Sequence, residues 1–203
     1  MSPDSKHGAK FGTLDRRAAV AELLKDRGKL LLITGLGSSS YDAFSAGDHD
    51  ANFYLWGAMG GAAMMGLGLA LAQPDRPVCA LTGDGEQLMG LGALATIAVK
   101  KPANLTIVVL DNGHFGETGM QTSHSGFGVD LHRIAQAAGF AAVSDIRGME
   151  EVAAYRRQLK LVTGGPRYAT IRIAPGNPPR ALPARDGVFL KNRVRQHLGF
   201  GVN

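Results

Sequence analysis

Residues 81–116 read LTGDGEQLMGLGALATIAVKKPANLTIVVLDNGHFG, and the order of events in that stretch decides the fold. The apolar run VCALT at 78–82 leads into Gly83-Asp84-Gly85, a helical segment follows over residues 87–100, and a second apolar run, LTIVVL at 105–110, stops at Asp111-Asn112-Gly113. Runs without polar alternation predict strands covered on both faces, as in a parallel sheet with helical crossovers. Parallel sheets carry their ligands at the carboxyl ends of the strands. Asp84 and Asn112 stand at such ends.

The pattern extends in both directions. Upstream, LLLIT at 30–34 is another unbroken apolar run, and it stops at GLGSSS (35–40); downstream, YATIRI at 168–173 is a weaker version. Helices are expected over residues 14–28, with Thr13 as cap and Gly28 as the close, and over 57–73, 130–138 and 150–162. The expectation is an α/β fold, a single-domain parallel-sheet sandwich over residues 13–174. An N-terminal extension (1–12) precedes it and a basic, Pro/Arg-rich arm (175–203) without periodicity follows.

Composition bounds the function. With 45% hydrophobic and 19% charged residues in 203, the chain can bury a core and is not disordered. Its 28 glycines are about twice the usual share of ~7%. Four of the five excess positive charges sit in residues 175–203, a segment lacking the basic stripe with interleaved aromatics of a nucleic-acid surface. Residues 56–72 are uncharged but number only 17 and include five glycines, short of the ~20 that span a bilayer. No membrane or nucleic-acid role is expected. The single Cys79 allows no internal disulfide and fits a reducing compartment, with the cytoplasm as the default.

A carboxylate and a carboxamide oxygen delivered from neighbouring strand ends are hard ligands suited to Mg²⁺ or Ca²⁺. Gly83 and Gly85 let the backbone pass close to a phosphate, and a helix starting near Glu86 offers free N–H donors. Singly, Asp-Gly and Asn-Gly are common turn formers; together, in this strand context, they point to a metal-bridged phosphate. GLGSSS and GAMGGA (57–62) both depart from G-x-G-x-x-G, which sets dinucleotide binding aside.

This stretch resembles the diphosphate-binding half of thiamine diphosphate enzymes, whose signature is GDG followed some 25 to 30 residues later by Asn. The resemblance implies thiamine diphosphate as cofactor and a Mg²⁺ (or Ca²⁺) held by Asp84, the Asn112 side chain and the His114 backbone carbonyl. It places Gly83, Gly85, Glu86 and Phe115 around the cofactor. In NFYLWGAMGGAAMMGLGLALA (52–72) it makes Met59 the wedge between the two cofactor rings and Gly57 the carbonyl donor; on residue type alone, Met59 is ordinary core. Ser38 and Ser39 become candidate diphosphate donors. Within the family, AGDHDANFYLWGAMGGA (46–62), GLGLALAQPDRPV (66–78) and DNGHFGETGMQ (111–121) are similar to the sulfopyruvate and phosphonopyruvate decarboxylases.

That resemblance implies decarboxylation of a small 2-oxo acid. The glutamate that activates the cofactor resides, in the family, in a pyrimidine-binding domain that these residues do not include; Glu86 and Glu117 are not placed to replace it. The expectation is therefore a hetero-oligomer, α2β2 or larger, with a partner subunit of similar fold. His114, Glu117, Gln121 and His124 are candidates for the substrate end. The relatives typically have Ser where this chain has Glu117, and a carboxylate there disfavours a dianionic sulfonate or phosphonate unless a cation compensates. Two alternatives stay open: a carboligase of the acetolactate synthase or acyloin type, and a non-catalytic diphosphate-binding module.

Overall fold

A computed structural model describes residues 11–201; of the expected N-terminal extension, residues 1–10 lie outside them. Six parallel strands form one sheet in the order β2-β1-β3-β4-β8-β7: β1 (Leu31–Thr34), β2 (Asn52–Tyr54), β3 (Val78–Gly83), β4 (Leu105–Asp111), β7 (Ala142–Ile146) and β8 (Arg167–Arg172). A short antiparallel hairpin, β5 (His114–Phe115) with β6 (Gln121–Thr122), rises from the end of β4. The sandwich follows from alternation along the buried strands. In β4, Val108 and Leu110 join one apolar cluster while Leu105, Ile107 and Val109 join the other. β3 divides the same way, with Cys79 and Leu81 on one side and Val78 and Ala80 on the other. Each central strand thus feeds two cores, which is why it reads as a continuous apolar run.

On the first face pack α1 (Arg16–Leu24), α7 (Met149–Tyr155) and α8 (Gly187–His197). On the second pack α3 (Ala62–Ala72), α5 (Gly92–Lys100) and α6 (Leu131–Ala138). Several boundaries differ from expectation. Asp15 caps α1 in place of Thr13, its carboxylate accepting from the Ala18 amide at 2.8 Å. The helix expected from residue 57 begins at Ala62, because Gly57 and Gly60 adopt positive φ (85° and 90°) and hold residues 57–61 as a turn. The helix expected over 87–100 is two helices, α4 (Asp84–Met89) and α5, broken at Gly90. The cause is a backbone crossing: a Cβ on Gly90 would stand 2.3 Å from the Gly60 carbonyl oxygen, so only paired glycines let the two loops touch. α7 ends at Tyr155, with a 3-10 turn over Gln158–Lys160 continuing the stretch expected as helix to residue 162.

GLGSSS is a loop only as far as Gly37, since α2 (Ser38–Ser45) begins inside it. The arm, read from sequence as lacking periodicity, carries a helix. Its α8 buries Leu190 and Val194, is capped by Asp186, and ties to the β2 end through Arg193 and Asp48 at 2.7 Å. Trp56 donates to the Ala184 carbonyl at 2.9 Å. No described helix is long and apolar enough to cross a membrane.

Candidate active site

The loops after β1, β3 and β4 open at the carboxyl ends of three adjacent strands. Between them lies a cavity with about 670 Å³ of empty space, its solvent-open mouth included. Asp84 is at its floor, only 2% exposed. Its Oδ2 accepts from the hydroxyls of Ser123 and Ser125, the latter at 2.9 Å. Ser125 also lies 2.8 Å from Asp111, which pairs with Arg172. Burial, and secondarily the nearby Asp111, raise the Asp84 carboxyl to about 6 against the pull of the two hydroxyls. Oδ1 has no side-chain partner among the described residues. One carboxylate oxygen is anchored and the other is available.

Asn112 lines the same cavity and is 5% exposed. Its Oδ1 accepts from the His114 amide at 2.9 Å, and the His114 ring meets the Asn112 carbonyl oxygen at 2.7 Å. The carboxamide is thereby fixed, with a second lone pair left over. Among the described residues no three His, Cys, Asp or Glu side chains form a metal cluster. A dication held here would have one acidic ligand and neutral oxygens, with room in its shell for the oxygens of a phosphorylated ligand. The donor set fits Mg²⁺ or Ca²⁺ with a diphosphate.

Glu86 also lines the cavity, yet its carboxylate braces the surrounding loops. It accepts from the Leu36 amide at 3.0 Å and from the Ala62 amide at 3.4 Å, joining the β1 loop to the start of α3. Burial raises its pKa, and these hydrogen bonds oppose the rise. Gly35 is glycine because the carboxylate fills the space a Cβ would take, 1.7 Å away. The start expected near Glu86 shifts as well: α4 begins at Asp84 and has only six residues.

Of the other expected residues, Ser38, Ser39, Met59, Gly83, Gly85, Phe115, His114 and Glu117 all line the cavity. Met59 is 43% exposed, so the alternative of ordinary core packing is corrected: the turn holds it up at the mouth. Gly57 shapes that turn but does not reach the cavity wall, and neither Gln121 nor His124 lines it. Gln121 bonds Thr118 within the hairpin, and His124 stands edge-on to Phe115. Glu117 meets the cation its position calls for: Arg180 of the C-terminal arm, at 3.0 Å. Sequence reading missed Ser123, Ser125, Asp111, Arg172 and Arg180. Only the serine pair two apart in TSHS (122–125) offers a local trace.

The sequence and fold also resemble those of known proteins. Residues 36–170 match the family described as thiamine pyrophosphate enzyme, C-terminal TPP binding domain. The chain is 40% identical over 158 residues to phosphonopyruvate decarboxylase of Streptomyces viridochromogenes, covering 78% of this chain and 38% of that one. It is 39% identical over 149 residues to sulfopyruvate decarboxylase subunit beta of Methanothermobacter thermautotrophicus, covering 72% and 75%. The chain thus spans little more than a third of the first relative and three quarters of the second. Among solved structures, a 2-oxoglutarate:ferredoxin oxidoreductase from Magnetococcus marinus superimposes with a TM-score of 0.63 at 16% identity over 98% of this chain and 93% of that one, a likeness of fold.

Proposed function

The chain belongs to the thiamine pyrophosphate enzyme family as a C-terminal TPP binding domain, and from that premise we propose that it is the cofactor-binding subunit of a thiamine diphosphate- and Mg²⁺-dependent 2-oxo acid decarboxylase. The observation that carries the reading is the half-anchored carboxylate of Asp84, buried in the cavity that Asn112 also lines. In this reading Asp84, the Asn112 carboxamide and the His114 carbonyl hold the metal. Ser38 and Ser39, at the start of α2, contact the diphosphate, and Gly83, Gly85 and Phe115 shape the cradle around it.

When bound, the cofactor supplies an electron sink for loss of CO₂ from a 2-oxo acid. The chain's own residues position and shield. Met59 at the mouth props the cofactor rings, Gly57 sets the turn that presents it, and the buried sheet ends exclude water from the metal side. His114 and Glu117 face the substrate end.

The activating acid is proposed to come from a partner subunit. Two observations support this: the Glu86 carboxylate is engaged by backbone amides of two loops, and Glu117 is paired with Arg180. Exposed Met59, Met64, Met89 and Leu71, between 42% and 64% accessible, give that partner an apolar face. The assembly in this reading is a hetero-oligomer, α2β2 or larger. The cytoplasm is the proposed location; burial pushes the Cys79 thiol up to about 12, leaving it inert.

The test is calorimetry of thiamine diphosphate and Mg²⁺ binding to the chain alone and with its co-purifying subunit, followed by product analysis on 2-oxo acids. Free aldehyde and CO₂ are expected from the pair. An acyloin or 2-hydroxy acid product replaces the reading with carboligation, and absence of cofactor binding in both samples removes it.

A further inference from the structure

The cavity has a polar neighbour. A second hollow, with about 470 Å³ of open space, shares Ser38 and Glu117 with the first as a common wall. Tyr41 lines it from α2, and residues 177–180 of the C-terminal arm close the far side. That strap is tied at three points. The Asn177 amide donates to the Gly116 carbonyl at 2.8 Å, Arg180 pairs with Glu117, and Arg17 donates to the Pro179 carbonyl. The second oxygen of Glu117 accepts from the Ser38 hydroxyl at 3.1 Å. One carboxylate is thus held between a hydroxyl and a guanidinium beside the cofactor cavity.

We propose that this hollow holds the end of the substrate remote from its 2-oxo acid group, and that the Glu117–Arg180 pair makes it selective for a neutral, hydrogen-bonding end. The inference rests on the decarboxylase reading above. A carboxylate and a guanidinium in contact largely cancel at a distance. An entering sulfonate, phosphonate or second carboxylate either meets Glu117 at short range or takes Arg180 and leaves Glu117 unpaired. Of the other cations nearby, Arg16 and Arg17 both face Asp42, at 2.6 and 3.6 Å, and Arg185 lies over the Trp56 ring at 5.4 Å. A hydroxyl has no such conflict, since it donates to a remaining lone pair of Glu117 with the ion pair intact. The substrate class is a monoanionic 2-oxo acid with a short, polar, uncharged tail.

The test uses the complex with its partner subunit, thiamine diphosphate and Mg²⁺, and compares 3-hydroxypyruvate with 3-sulfopyruvate by kcat/KM. The hydroxy acid is expected to lead by about tenfold or more. Glu117→Gln leaves Arg180 unopposed and shifts the ratio about tenfold toward sulfopyruvate, whereas Arg180→Gln shifts it the other way. A wild-type preference for sulfopyruvate, or a ratio that neither variant moves, overturns the assignment. Calorimetry of hydroxyacetate and sulfoacetate binding to the same complexes separates the two layers. The same swing in affinity without CO₂ release from either acid retains the hollow and sinks the decarboxylase reading. CO₂ release without a swing sinks the hollow alone.

Discussion

The Ser125 hydroxyl lies 2.9 Å from Asp84 and 2.8 Å from Asp111, a single donor between two buried carboxylates. One proton cannot serve both at once. The arrangement persists because Ser123 also donates to Asp84 and Arg172 pairs with Asp111. Replacing Ser125 with Ala leaves the two like charges facing each other with one hydroxyl fewer. Ser125→Ala is expected to cost about 1–3 kcal/mol of stability and to weaken Mg²⁺-dependent cofactor binding about tenfold. Urea unfolding and calorimetry read the two losses separately. Unchanged metal-dependent binding would mean that the serine only fills space.

The raised carboxyl of Asp84 gives a pH dependence with a definite sign. Its folded-state pKa of about 6 stands above the ordinary carboxylate value of 3.8, so the ligand-free fold holds this proton more tightly than the unfolded chain does. That stabilising contribution is present at low pH and is lost as pH rises from about 4 through about 6. Metal binding needs the carboxylate, so Mg²⁺-dependent affinity for thiamine diphosphate is expected to fall by up to tenfold per unit as pH drops below about 6. Asp84→Asn removes the buried charge while keeping the shape. At pH 8 it is expected to raise the Tm of the ligand-free protein and to abolish metal-dependent binding. Calorimetry and thermal unfolding between pH 5 and 8 check both; a flat affinity profile refutes the metal assignment.

These residues also mark how far the sequence could be read. Asp84 and Asn112 were legible because each closes an apolar strand, so strand pattern and chemistry coincide within a few residues. Ser123, Ser125 and Arg180 were not, since they reach Asp84 and Glu117 across 39, 41 and 63 positions and only the folded chain brings them there. Among the strands, β3 and β4 declared themselves by burial on both faces. β2 has three residues, and β7 (AVSDI) is a half-exposed edge, so neither carries a two-core signature. α2 begins with three serines, poor helix formers; tertiary contacts hold it, among them Ser40 with Thr34 at 2.6 Å.

Met59 separates binding from positioning. It is 43% exposed at the cavity mouth, so truncation opens little cavity and is expected to cost under ~1 kcal/mol of stability. The diphosphate anchor lies elsewhere. Met59→Ala is therefore expected to leave the cofactor Kd within a few-fold while lowering kcat by at least tenfold, because ring geometry is lost and attachment is kept. Equal losses in Kd and kcat would return Met59 to a general binding contact.

The Gly60–Gly90 crossing fixes how the Met59 turn meets the helix that begins with Asp84. A Cβ at position 60 would fall 2.8 Å from the Gly90 amide nitrogen, at a φ of 90° that disfavours any side chain; at position 90 the obstruction is the Gly60 carbonyl oxygen. Either alanine forces the two loops apart, moving the turn that carries Met59 away from the Asp84 loop. Gly90→Ala has no positive φ to contend with, so it isolates the steric part. It is expected to cost about 1–3 kcal/mol and to lower kcat more than Met59→Ala does, because Met59 and the Asp84 loop shift together. Gly60→Ala adds backbone strain and is expected to be the less stable of the two. Thermal unfolding ranks them. Native stability in Gly90→Ala would show that the loops part freely and that the crossing does not hold the site.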